Sequence, residues 1–93
     1  MTEKRCKRIK DILAEDFAPS KLLVKDQSHL HAGHPGARDG KGHFSVDIVS
    51  KSFAGQSRLE RHRRVFDALH EMMVADIHAL QINAQTPEEA NSL

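Results

Sequence analysis

The chain has no tryptophan, no tyrosine and one cysteine, Cys6, in 93 residues. A lone cysteine makes no intramolecular disulfide and no cysteine-based metal site. Four phenylalanines are the whole of the Phe/Tyr/Trp content. Proteins that hold single strands stack bases on such rings, so their scarcity counts against that class. No apolar run approaches the ~20 residues that a membrane helix needs. Neither sign of charge dominates: 14 Lys+Arg stand against 13 Asp+Glu, a net charge of +1. That excludes a strong nucleic-acid-type field over the whole surface, but not a local basic patch. The basic start Lys4, Arg5, Lys7, Arg8 lacks the apolar stretch of a secretory signal. Glu3, Asp11, Glu15 and Asp16 are at odds with a transit peptide, which is poor in acids. A reducing cytoplasm and no membrane are the expectations.

What is plentiful is histidine. There are seven, three of them crowded into His29-x-His31-x-x-His34. The length suits one small domain, residues 1–93. Taken in order, residues 3–17 predict a helix with the apolar stripe Cys6, Ile9, Leu13, Phe17 and Ile12 beside it, ended by Pro19. Lys21 to Lys25 predicts a short strand. Residues 26–42, with four glycines and the clustered histidines, are expected to form a long mobile loop; a loop of that length in a small domain is usually functional or disordered. In His43 to Val49, Phe44, Val46 and Ile48 alternate with Ser45 and Asp47, the period of a half-buried strand.

The strongest element is Ser57 to Met73. Leu59, His62, Phe66, Leu69 and Met73, with Val65 and Met72 beside them, predict one amphipathic helix. Ser57 and Glu60 form a capping box at its start, and Gly55 lets the chain turn into it. Val74 to Asp76 is a short connection with a helical turn. Ile77 to Ala84 is a strand in which His78, Leu80, Ile82 and Ala84 share one parity. Thr86-Pro87-Glu88-Glu89 starts a last short helix, with the 90–93 tail frayed.

Several motifs carry little. Gly33-His34-Pro35-Gly36 matches the G-x-x-G loop that clamps RNA in KH domains, but lies between two strands instead of two helices. Gly36 to Lys41 is one residue short of a phosphate loop and has Gly42 where Ser or Thr is required. Cys6 has basic neighbours but no catalytic signature around it. Arg58, Arg61, Arg63 and Arg64 are a candidate nucleic-acid contact; the plainer reading is a solvated helix face. His29, His31 and His34 are candidate ligands for a borderline metal, zinc among them, and His78 at a strand end is a candidate fixed ligand. On the residues alone, the favoured reading of His78 is a strand-edge histidine bonded to backbone.

Asp26-x-Ser28-x-x-His31, the glycine-rich loop, His43-Phe44, Ser50-x-x-Phe53-x-Gly55, Arg61-His62-Arg63, Ile77-His78-Ala79-Leu80 and Thr86-Pro87 together resemble the BolA family, from about Ile9 to Glu89. The resemblance implies an α+β fold like the class II KH domain: α-β-β-α-(short helical turn)-β-α, with a three-stranded mixed sheet and helices on one face. It implies a non-enzymatic partner of a monothiol glutaredoxin, sharing a [2Fe-2S] cluster to which the glutaredoxin side contributes a cysteine and glutathione. On this side the resemblance implies His78 as one ligand and His31 as the second, with His34 as rival because the loop looks slightly long. No cofactor is expected in the isolated monomer. The family is also regarded as one of DNA-binding regulators of stress response and cell shape, which would use Arg58 to Arg64. Where the family commonly has an aromatic residue in the last helix, Glu89-Ala90 stands here. That departure concerns the packing of the C-terminus, not the ligands.

Overall fold

In a computed structural model, residues 2–27 and 42–91 are described. A first helix, α1 (Thr2–Phe17), is followed by strands β1 (Lys21–Asp26) and β2 (Gly42–Val49) and a single 3-10 turn at Lys51–Phe53. Helices α2 (Arg58–Ala68) and α3 (His70–Ala75), strand β3 (Ile77–Gln85) and the short α4 (Pro87–Ala90) complete the order. The sheet order is β1-β2-β3, with β1 antiparallel and β3 parallel to the central strand. Helices α1, α2 and α3 pack on the sheet. This is the expected mixed sheet with helices on one face.

Periodicity explains most of the core. Ile9, Leu13 and Phe17 of α1 are buried, with Cys6 and Ile12 packed against them in part. Phe44, Val46 and Ile48 of β2 meet Leu80, Ile82 and Ala84 across the parallel register and Leu22 and Val24 across the antiparallel one. α1 ends through Ala18, whose φ of 43° is left-handed, just before Pro19. The Ala18 N–H still reaches the Ala14 carbonyl at 3.1 Å. Buried Ser50 then ties α1 to the end of β2: its hydroxyl donates to the Phe17 carbonyl at 2.7 Å and accepts the Ser52 N–H at 3.1 Å. The capping box forms as read: Ser57 Oγ accepts the Glu60 N–H at 3.1 Å, and Glu60 accepts the Ser57 N–H at 3.0 Å. Gly55 takes φ 77°, the left-handed turn into α2.

Two expectations need correction. The continuous helix over 57–73 is broken at Leu69, where φ −99° and ψ 15° separate α2 from α3. The buried line also differs from the predicted stripe. Val65, Leu69 and Met72 are buried, whereas Leu59 is 59% and Phe66 37% exposed. The reason is electrostatic as much as steric. The line toward the sheet begins at Arg61, a residue that hydropathy assigns to water. Its side chain is only 11% exposed because the rest of the molecule offers it oxygen atoms. A helix turned to bury Arg61 and Val65 leaves Leu59 outside. Leu69 and Met72 continue the line at helical spacing.

Candidate functional site

Parallel pairing brings the starts of β2 and β3 to the same end of the sheet. Gly42 pairs with Ile77, but His43 pairs with Ala79, so His78 is left over in the ladder. Two steps on β3 are taken against one on β2, a bulge-type irregularity. Its consequence is a side-chain reversal. Ile77 is 2% exposed and Leu80 packs on the core, while His78 between them is exposed. Strand parity alone would have put His78 on the face of Leu80, Ile82 and Ala84, so this too is a correction. The bulge takes an imidazole that regular pairing would turn inward and presents it to solvent.

A second imidazole stands beside it. The His43 and His78 rings are 5.0 Å apart between centroids and inclined by 54°. His43, half-buried in the second pair of the ladder, figures in the sequence as the start of a strand and as part of the family resemblance, not as a ligand. Nothing local marks it as a site residue; only the parallel register puts it next to a residue 35 positions later. Among the described residues no three of His, Cys, Asp and Glu converge as a metal-binding group. A metal held at His78 therefore draws on ligands beyond these residues. His29, His31 and His34 lie outside the described residues. Both strand ends that flank their segment are at this end: the Gln27 N–H donates to the His43 carbonyl at 2.7 Å, and the Gly42 N–H to the Asp76 carbonyl at 2.9 Å.

The arginine run lies elsewhere, and its members differ. Arg61 donates from Nε to the Gln56 carbonyl at 3.0 Å, from Nη1 to the Ala84 carbonyl at 3.1 Å, and to both carboxylate oxygens of Glu89 at 2.6 and 3.2 Å. The Arg61 guanidinium, helped by the Thr86 N–H, holds the Glu89 carboxyl down at a pKa of about 2. Arg64 donates to the Ser52 carbonyl at 2.7 Å and to Gln56 Oε1 at 2.8 Å, and its guanidinium lies 4.9 Å over the Phe17 ring. Arg58 and Arg63 are exposed. Two of the four candidate nucleic-acid contacts thus spend much of their hydrogen-bonding capacity inside the protein. A cleft of about 480 Å³ lies here, lined by Arg58, Arg61, His62, Asn83 and Glu89 among others.

The two candidate regions therefore occupy opposite ends of β3. Six residues separate His78 from Ala84, about 20 Å along a strand.

A family model for BolA-like proteins matches residues 13–89. The chain is 40% identical over 93 residues to the protein named "Protein BOLA1, chloroplastic" of Arabidopsis thaliana, covering 97% of this chain and 58% of that protein. It is 35% identical over 81 residues to the "DNA-binding transcriptional regulator BolA" of Haemophilus influenzae, covering 87% of this chain and 76% of that one. Its fold is similar to the solved BolA domain of SufE1 from Arabidopsis thaliana, with a TM-score of 0.82, 40% identity, and coverage of 91% of this chain and 94% of that one.

Proposed function

The chain belongs to the BolA-like protein family, and from that premise we propose that it is a non-enzymatic adaptor that binds a monothiol glutaredoxin and shares a [2Fe-2S] cluster with it. The role would be trafficking or maturation of clusters, or regulation of iron. The chain spans little more than half of the Arabidopsis BOLA1 protein, so the partner and the activity are part of the proposal. So are the monomeric state when alone and the cytoplasmic compartment; that relative is named as chloroplastic.

The observation that carries this reading is His78 lifted out of the ladder and exposed beside His43. An imidazole on a strand end is held in place by the sheet, yet open to a ligand that another protein also holds. The donor chemistry fits, because histidine replaces cysteine as an iron ligand in Rieske-type centres and raises the potential. Such a cluster supplies one-electron and transfer chemistry. The chain contributes His78 as the fixed ligand and His31 as the adjustable one, with His34 the alternative. Four residues separate His31 from Gln27, whose N–H is bonded at the His43 carbonyl; that tether spans at most about 14 Å. His43 stands against the His78 ring as its neighbour.

Co-expression with a monothiol glutaredoxin tests this. The purified pair should show cluster absorption and visible circular dichroism, and His78→Ala should remove both. An unchanged spectrum in that variant refutes the assignment.

A second reading, a DNA-binding regulator, is favoured by the name of the Haemophilus relative and by the exposure of Arg58 and Arg63. It predicts affinity that falls steeply with salt, with a slope reduced by neutralising either arginine. Flat salt dependence rejects it.

A further inference from the structure

The charges of α1 run against the dipole of the helix. Lys4, Arg5, Lys7 and Arg8 stand in its first half against the single acid Glu3, and Asp11, Glu15 and Asp16 in its second against Lys10. The positive end of a helix dipole is its N-terminus, where cations are disfavoured. Internal partners offset only part of this. Lys7 is paired with Asp11 at 2.8 Å, an exposed contact. Arg5 reaches Asp76 at 3.3 Å, while Arg8 approaches Asp76 at 3.9 Å and Glu71 at 4.0 Å, both long.

These side chains surround a cleft of about 300 Å³ lined by Lys4, Arg5, Arg8, Met72 and Asp76. Among the lining residues three cations face one carboxylate, and Glu71 stands 4.0 Å from Arg8 beside them. Asp76 holds Arg5 and Arg8 from one side, and a guanidinium carries five N–H donors, so most of the two forks stay available. The cleft also has a place. Asp76 precedes His78 by two residues, and its carbonyl accepts the Gly42 N–H at 2.9 Å.

We propose that the basic cleft formed by Lys4, Arg5 and Arg8 around Asp76 docks an acidic segment of the protein that covers His78. The proposal rests on the adaptor reading and adds to it the surface by which the partner is captured and oriented. Charge complementarity favours carboxylates of a protein over a phosphate backbone. Asp76 stands inside the cleft and would repel a continuous row of phosphates, whereas separate carboxylates can pair with each fork around it. Steering by such a patch acts chiefly on the association rate and weakens with salt.

The test is stopped-flow association of the full chain with a monothiol glutaredoxin under cluster-forming conditions. The variants are K4E/R8E, the milder K4Q/R8Q, and the control K21E/K51E, which changes net charge equally at the far end of the sheet. At 50 mM salt K4E/R8E should associate at least tenfold more slowly, with K4Q/R8Q in between and the control within twofold of wild type. The gap should narrow at 500 mM salt, and the cluster spectrum at saturation should be unchanged, which a misfolded variant would not allow. Wild-type rates in K4E/R8E, with the wild-type spectrum present, overturn the docking cleft and leave the adaptor reading standing. Absence of any cluster complex with the wild-type chain overturns both. Duplex DNA binding that K4E/R8E abolishes, with glutaredoxin association untouched, assigns the cleft to nucleic acid instead.

Discussion

The two ends of β3 are built on opposite terms. At its start one residue is spared from the ladder, and two imidazoles face each other at 5.0 Å. At its end the outward carbonyl of Ala84 is taken by the Arg61 guanidinium, which also holds Glu89 and so fastens α4 to α2. An open edge strand invites pairing with another chain, and a charged side chain across it is one way that proteins blunt such edges. One strand thus carries an open end with an exposed imidazole and a closed end bonded across its edge. The same contrast separates the candidates: Arg61 and Arg64 are bonded inside the protein, whereas His78 is exposed.

The largest expected effect separates the ends most sharply. His78→Ala should abolish the visible spectrum of the glutaredoxin complex, yet change stability by no more than about 0.5 kcal/mol, because the side chain is exposed. A large fall in melting temperature would break the comparison by making the open end structural. Arg61→Ala should do the reverse. It removes the donors to Ala84, Gln56 and Glu89 from a side chain that is 11% exposed, and should destabilise by about 1–3 kcal/mol. Its cluster spectrum should match wild type; denaturant melts beside spectra check both.

The closed end should also respond to acid. Glu89 has its folded pKa depressed to about 2 from an ordinary 4.5. Its contribution is therefore complete above pH 4.5 and is lost as pH falls from there toward 2. Glu89→Gln should flatten that part of the stability–pH profile; a variant with the wild-type profile removes Glu89 from the account. The smallest effect is expected at Ala18, which ends α1 in the left-handed region with φ 43°. Glycine meets no steric penalty there, so Ala18→Gly should stabilise by about 0.5–1 kcal/mol. Destabilisation would show that the loss of the methyl outweighs the relief.

Local chemistry was legible wherever it was local. Ser57 with Glu60, and Thr86 with Glu89, are capping boxes in the sequence and in the structure, since each partner lies three residues away. The stripe of α1 and the alternation of β2 were legible for the same reason. The stripe of α2 was not. Hydropathy excludes Arg61 from a buried line, and the acceptors that draw it inward, Ala84 and Glu89, are 23 and 28 residues away. Glu89 also shows how the last helix is held, by an ion pair with Arg61.

The sequence by itself determined the order of the strands and main helices and the helix caps, because each rests on spacings within a turn or a strand; the mixed sheet it marked only through its resemblance to a family. It also marked His78 through its resemblance to a family. Only the tertiary structure decided which way His78 points, that His43 stands next to it, and that Arg61 and Arg64 are turned inward. Those facts depend on the register of β2 against β3 and on acceptors far away in the chain, and register is a property of the packed sheet as a whole, not of any single stretch.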